Sequence, residues 1–346
     1  MKVVVTGNLG YVGTVLTPLL TARGHAVRGI DTGYYGDCLL GPVDGTSVAH
    51  QVRRDLRDVE PGDLAGADAI VHLGALSNDP IGELDPKLTA DINTGASIRL
   101  ASMAREAGVR RFVFASSCSI YGSSGGGQLD EDSAMNPLTA YARSKVDTEV
   151  ALRSMAGDAF SPVFLRNGTA YGYSPRLRVD IVVNNLVAWA VTTGKVALAS
   201  DGRAWRPLVH VEDMGRAMIA ALEADEERIH GQAFNVGREE DNRQIRDVAT
   251  AVAAAVPGSV VTFAEGATTD ARDYNVSFAR IRGALPAFKP QWSVETGIVQ
   301  LRDAYRKFEL DYERFDGREF TRLKQLLFLR REGRLDEDLA WVGPSA

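Results

Sequence analysis

The stretch Val3-Val4-Val5-Thr6-Gly7-Asn8-Leu9-Gly10-Tyr11-Val12-Gly13 decides the fold. A β-branched run enters a turn with glycines at 7, 10 and 13, and residues 12–23 then read as a helix closed by Gly24-His25. Gly7 and Gly10 permit a tight turn that brings bare backbone N–H groups against an anion. They do so at the positive end of the following helix, and Gly13 lets helix and strand pack closely. A strand before and a helix after are the context that makes such glycines a pyrophosphate cradle. Asp31 ends the next strand, 26–30. An acid there accepts from both adenosine ribose hydroxyls and repels a 2′-phosphate, which favours NAD over NADP. Its neighbours Thr32 and Gly33 bring no arginine to reverse that preference.

Outward from this unit, short apolar strands at 69–73 and 111–115 alternate with helical stretches, among them 88–107, stopped by Gly108. The alternation predicts an α/β fold of Rossmann type, a doubly wound parallel sheet with helices on both faces. Residues 1–165 read as this dinucleotide-binding domain. After about Phe164 the pattern loosens: 166–178 is turn-rich and 179–192 reads as a helix. Residues 166–346 are expected to form mainly a smaller, mixed substrate domain, with 207–237 returning to the first. Beyond Leu301 the chain is charged and helical in pattern, an extension with little predicted chemistry that packs on the body or joins an oligomer contact. Ser123-Ser124-Gly125-Gly126-Gly127 reads as a mobile loop.

Composition excludes several classes. A formal net charge of −6 over 346 residues leaves no basic stripe to track nucleic acid, although local arginines can still bind a small anion. Two cysteines, Cys38 and Cys118, make no disulfide scaffold and point to a reducing cytoplasm. No apolar run approaches the roughly 18 residues of a membrane span, and the chain opens directly on a strand, so no signal peptide is expected. The histidines at 25, 50, 72, 210 and 230 stand singly, and no metal is expected.

Tyr141 and Lys145, four apart in Tyr141-Ala142-Arg143-Ser144-Lys145, share one face of a helix that Pro137 precedes. A phenol with a pKa near 10 is a poor base at neutral pH, and a nearby ammonium favours its phenolate. Such a pair can take a proton from a hydroxyl while hydride leaves the same carbon. The strand that runs into Ser116-Ser117-Cys118-Ser119-Ile120-Tyr121-Gly122 offers a hydroxyl as third member, with Ser116 and Ser117 both open.

Taken together these motifs resemble the extended branch of the short-chain dehydrogenase/reductase family, of NAD-dependent sugar-nucleotide epimerase/dehydratase type, from Met1 to about Leu310. The resemblance implies that Gly7, Asn8, Leu9, Gly10, Tyr11, Val12, Gly13 and Asp31 hold NAD. It makes Asp55-Leu56 an adenine-contact pair, and Leu73 and Ala75 part of a strand-four motif in which Gly74 replaces the commoner alanine. Asn93 falls where the family keeps a helix asparagine that holds the active-site geometry, and Ser117, Tyr141 and Lys145 fall on the catalytic positions.

Dehydratases of the family usually carry Asp-Glu after that serine, where this chain has Cys118-Ser119. Enzymes that epimerise C3 and C5 usually have cysteine where Ser119 stands. Oxidation at one carbon and return of hydride to its other face remains, the chemistry of C4 epimerisation. Dehydration, keto-sugar reduction and a catalytically silent NAD-sensing scaffold stay open as alternatives. For the substrate, a nucleotide-diphosphate sugar, the resemblance implicates Asn78, Ser117, Ser119, Thr169 (in place of a commoner asparagine), Asn185, Arg206 and Arg272. Arg176 and Arg178 add positive charge beside them and suggest an acidic or modified sugar. The family's two-helix packing implies a homodimer.

Overall fold

In a computed structural model that describes residues 1–43, 45–268 and 272–343, the glycine turn leaves the centre of a parallel sheet. Seven strands lie side by side in the order Ala233–Val236, Ser161–Asn167, Arg111–Ser117, Ala69–His72, Lys2–Thr6, Ala26–Asp31 and His50–Arg53. Every pairing is parallel. The order reverses direction at Lys2–Thr6, so the chain winds outward both ways and leaves a crevice at the carboxyl ends of the two central strands. Val3, Val4, Val5, Ile70, Val71, Phe112 and Val113 are sealed on both faces, as strands covered by helices on both sides require. The expected doubly wound α/β fold is therefore present.

Buried polar groups fix the register of the centre. Thr6 Oγ1 lies 2.6 Å from His72 Nδ1, and His72 Nε2 lies 2.7 Å from Ser97 Oγ. Burial brings His72 down to about 3, so it is a neutral tie between two strands and a helix.

Three further pairings carry the other side of the crevice: Thr169–Tyr171 with Trp205–His210 and Asn242–Gln244, Lys195–Ser200 with Val260–Thr268, and Ser123–Leu129 with Asp273–Val276. The helix Val211–Glu223 packs back onto the large sheet, with Ala217, Met218 and Ala221 in its core. The helix Val182–Thr193 joins Val294–Lys307 in a separate core.

Two expectations are corrected. The segment 123–127 is no free loop, because it lies in the strand Ser123–Leu129 that pairs in parallel with Asp273–Val276. The helix expected over 88–107 is interrupted. It runs as Pro86–Ala90, a wider π turn at Asp91–Gly95, then Ala96–Glu106. The extra residue of a π turn re-aims side chains at functional positions, and here it presents Asn93 to the strand-four loop.

Candidate active site

The crevice is one cavity of about 790 Å³, lined from the glycine turn to Arg206 and Tyr274. At its floor Gly7 has φ 72°, and a Cβ there would stand 2.8 Å from Gly74 N. A Cβ on Gly13 would stand 2.3 Å from Gly7 O, so no larger residue fits without moving backbone. The turn thus keeps the bare approach that a pyrophosphate needs. Gly7, Gly10, Tyr11, Val12 and Gly13 line the cavity. Asn8 turns away, its Nδ2 donating to Gln51 Oε1 at 2.7 Å, and Leu9 N–H donates to Asp31 Oδ2 at 3.1 Å.

Asp31 also accepts from Gly33 N at 2.7 Å. Burial pushes its carboxyl up, while the Gly33 and Leu9 N–H groups, Arg176 and Arg53 pull it back. Thr32 and Gly33 bring no arginine in sequence, but the adjacent strand does. Arg53 Nη1 lies 2.2 Å from where a Gly33 Cβ would stand, and Arg54 lines the cavity. Asp55 and Leu56 line the cavity too. Both Asp55 carboxylate oxygens are engaged by the Arg57 guanidinium at 3.0 Å, with Tyr34 O–H at 3.3 Å. Leu73 and Ala75 form the wall opposite, and Leu56 occupies the space an alanine would take at Gly74, 2.7 Å from its would-be Cβ.

The two open serines separate cleanly. Ser116 Oγ donates to Glu149, which forms a buried ion pair with Arg166 at 2.8 Å. Ser117 sits in the cavity wall, where its hydroxyl acts to lower the pKa of the Tyr141 phenol. Thr139 caps the helix Ala140–Ser154 by accepting from Ala142 N, which sets Tyr141 and Lys145 on the cavity side. Asn93 braces this helix against the strand-four loop: it accepts from Leu76 N at 2.8 Å and donates to Leu76 O and Ser144 Oγ at 3.1 Å.

The electrostatics differ from the sequence expectation. Burial, then Asp79, push Tyr141 up to about 12, against the lowering by Ser117 and Arg178. Burial brings Lys145 down to about 8, and its Nζ turns to the Ala115 carbonyl at 2.8 Å. Burial thus governs the phenol, and the ammonium is turned to a backbone carbonyl.

Cys118 points away from the cavity, its Sγ donating to Arg166 O at 3.1 Å, and burial raises its thiol well above the ordinary value. Ser119 lines the cavity and its buried Oγ has no protein partner.

On the far side Asn78, Thr169, Asn185, Arg206 and Arg272 all line the same cavity. Asn78 Nδ2 donates to Asp180 Oδ2 at 2.8 Å, and Asn185 Nδ2 to Val179 O at 2.9 Å. Arg206 lies 5.5 Å over the Tyr274 ring, and Arg272 pairs with Asp79 at 2.7 Å. Arg176 does not join them. Its guanidinium is tied to the carbonyls of Leu9, Tyr35 and Gly36, so it holds the glycine turn and offers no charge to a sugar.

Sequence reasoning missed Asp180 and Arg322, both in the cavity wall. Arg322 opens the helix Arg322–Arg331, in the segment expected to carry little chemistry. The signal was the inward spacing of Arg322, Gln325, Leu326 and Leu329, one helical face.

Known proteins resemble this chain in sequence and in fold. The model of the NAD dependent epimerase/dehydratase family matches residues 3–237. The UDP-glucose 4-epimerase of Mycolicibacterium smegmatis is 30% identical over 315 residues, 88% of this chain and 99% of the relative. Among solved structures, MoeE5 in complex with UDP-glucose and NAD is 25% identical with a TM-score of 0.76, covering 89% of this chain and 99% of that one. The NAD dependent NDP-hexosamine 5,6-dehydratase TunA shares the fold at a TM-score of 0.79 and 21% identity, over 88% and 98% of the two chains. This chain belongs to the NAD dependent epimerase/dehydratase family.

Proposed function

We propose that the protein is an NAD-dependent epimerase of a nucleotide-diphosphate sugar, acting at C4 through a transient 4-keto sugar. The carrying observation is the pairing of Ser117, Tyr141 and Lys145 in one wall with a residue pair, Cys118-Ser119, that offers no second acid or base. Asp79, the carboxylate that acts on Tyr141, is already engaged by Thr139 Oγ1 and Arg272 Nη1, each at 2.7 Å. Elimination of water needs a free acid and base, so this wall suits proton exchange at one hydroxyl.

Bound NAD would supply the hydride acceptor and donor for the sugar carbon. Its fit rests on the bare glycine cradle, with Asp31 at the ribose end and Lys145 at the reactive end. Tyr141 takes the proton of the C4 hydroxyl and later restores it, while Ser117 holds the reacting oxygen. Lys145 supplies positive charge beneath the phenol. Arg206 and Arg272 fit a diphosphate, and Asn78, Ser119, Thr169 and Asn185 complete the sugar pocket. UDP is the nucleotide to try first, because UDP-sugars appear with the relatives.

The same reading divides the chain into a dinucleotide-binding part, 1–165 with 207–237, and a substrate part formed mainly by the rest of 166–346. It also makes the protein a homodimer, joined through the helices Ala96–Glu106 and Ala140–Ser154, where Val150 is 57% exposed. It places the protein in the cytoplasm, consistent with free, buried Cys38 and Cys118. Among the described residues no helix is long and apolar enough to cross a membrane.

Proton NMR in D2O with UDP-glucose, UDP-galactose and their uronic acid and N-acetyl counterparts tests the activity. Inversion at C4 without deuterium in the sugar supports it. A 4-keto-6-deoxy product with solvent deuterium replaces it with dehydration, and stoichiometric consumption of reduced cofactor replaces it with reduction.

A further inference from the structure

Apart from Arg206 and Arg272 the cavity holds a second concentration of positive charge. Arg178 and Arg322 both line it, and they are only 7% and 2% exposed. Arg178 Nε donates to Asp180 Oδ1 at 2.8 Å and its Nη1 to Ser77 Oγ at 3.2 Å. Arg322 Nη2 donates to Arg176 O at 2.9 Å, and its guanidinium lies 4.1 Å over the Tyr35 ring. Arg178 Nη2 and Arg322 Nη1 remain buried with no hydrogen-bond partner. Asp180 Oδ2 also accepts from the Arg322 backbone N–H at 3.3 Å and from Asn78, so the one carboxylate bonds the Arg178 guanidinium but only the main chain of Arg322. Two sealed guanidinium groups, one carboxylate and two orphan donors form a site that an anion completes, because an unmatched buried charge is costly.

Position identifies the anion. Arg322 Nη2 bonds the Arg176 carbonyl, and the Arg176 guanidinium in turn donates to Leu9 O in the glycine turn at 2.9 Å, while Arg178 acts on the Tyr11 and Tyr141 phenols alike. Arg206 and Arg272 belong instead to the Tyr274 side of the cavity. The segment that carries Arg322 also crosses the cofactor end. Gln325 Nε2 donates to Tyr34 O at 3.1 Å, Tyr34 O–H to Leu339 O at 2.6 Å, and Trp341 Nε1 to Thr32 O at 2.8 Å. Leu326, Leu329 and Leu335 pack with Tyr34, Leu76 and Ile81. Arg322 lies outside the residues that the family model matches.

We propose that Arg322, with Arg178, clamps the diphosphate of the dinucleotide, so that the C-terminal segment completes the cofactor site and retains NAD between turnovers. The proposal rests on NAD as the cofactor and not on the sugar or the reaction.

Arg322→Met and Arg322→Lys, stripped of nucleotide, are titrated by calorimetry with NAD, ADP-ribose, adenosine and UDP-glucose. A charge-assisted bond to phosphate predicts that Arg322→Met weakens NAD and ADP-ribose alike by about 10- to 100-fold, with adenosine unchanged and Arg322→Lys partly restored. The same variant is expected to purify with less NAD per chain. Unchanged NAD and ADP-ribose affinity overturns the proposal, as does a loss confined to UDP-glucose, which would give the guanidinium to the sugar nucleotide. Should Arg322→Met fail to fold, a crystal of the native protein with NAD decides. A phosphate oxygen within about 3.2 Å of Arg322 Nη1 supports the clamp, and solvent at that position overturns it. Neither readout involves turnover, so either can fail while epimerisation stands.

Discussion

Lys145 Nζ donates to the carbonyl oxygen of Ala115 at 2.8 Å, which holds a buried ammonium 5.7 Å from the centre of the Tyr141 ring. Burial brings this lysine from its ordinary 10.5 to about 8, so the folded chain binds its proton less tightly than the unfolded chain. The resulting penalty is fully present below pH 8, shrinks between pH 8 and 10.5, and vanishes above. Lys145→Met is therefore expected to abolish turnover yet raise the Tm at pH 7 by about 2–4 °C, with the gain fading toward pH 10.5. Thermal melts across that range check it, and a pH-independent loss of Tm would refute it.

The serines at 116 and 117 are expected to separate stability from chemistry. Ser116→Ala removes the donor to Glu149 beside Arg166, which costs about 1–2 kcal/mol and leaves kcat nearly intact. Ser117→Ala removes the cap on Ser119 N–H, a cost of about 0.5–1 kcal/mol, and lowers kcat about 100-fold, the size of a lost donor to a reacting oxygen. Denaturant melts beside steady-state rates decide the matter, and the reverse pattern would exchange the two roles.

Cofactor choice hangs on one carboxylate facing arginines that the fold brings near. Asp31→Asn removes the charge that repels a 2′-phosphate while Arg54 stays in the cavity wall and Arg53 beside Gly33. The ratio of NAD to NADP affinity is expected to fall by about tenfold or more. An unchanged ratio would show that the two arginines do not reach the ribose.

Cys118 is expected to be chemically silent. Its thiol is sealed, raised by burial and turned to Arg166 O. Native protein at pH 8 should resist iodoacetamide at this position, and Cys118→Ala should keep kcat within about threefold. A hundredfold fall would revive an acid role for this residue.

The sequence by itself determined the sheet and the chemistry-bearing wall. Valines 3–5 and the glycines at 7, 10 and 13 are local signals, because strand, turn and helix are set by neighbours a few residues apart. Tyr141 and Lys145 were legible for the same reason, as one turn of helix joins them. Asn93 was legible only through family resemblance, since the π turn that aims it depends on packing against Leu76 and Ser144. Residue types left Ser116 and Ser117 both open and resemblance favoured Ser117; the tertiary structure separates their surroundings, because strand residues alternate faces and the register of Arg111–Ser117 sets which hydroxyl meets Glu149. It alone tied Arg176 to backbone carbonyls, set Arg53 beside Gly33, and carried Arg322 across nearly the whole chain to the Tyr35 ring. Charge interactions depend on distance in space, and burial sets their strength. No spacing in the sequence encodes either when the partners lie hundreds of residues apart.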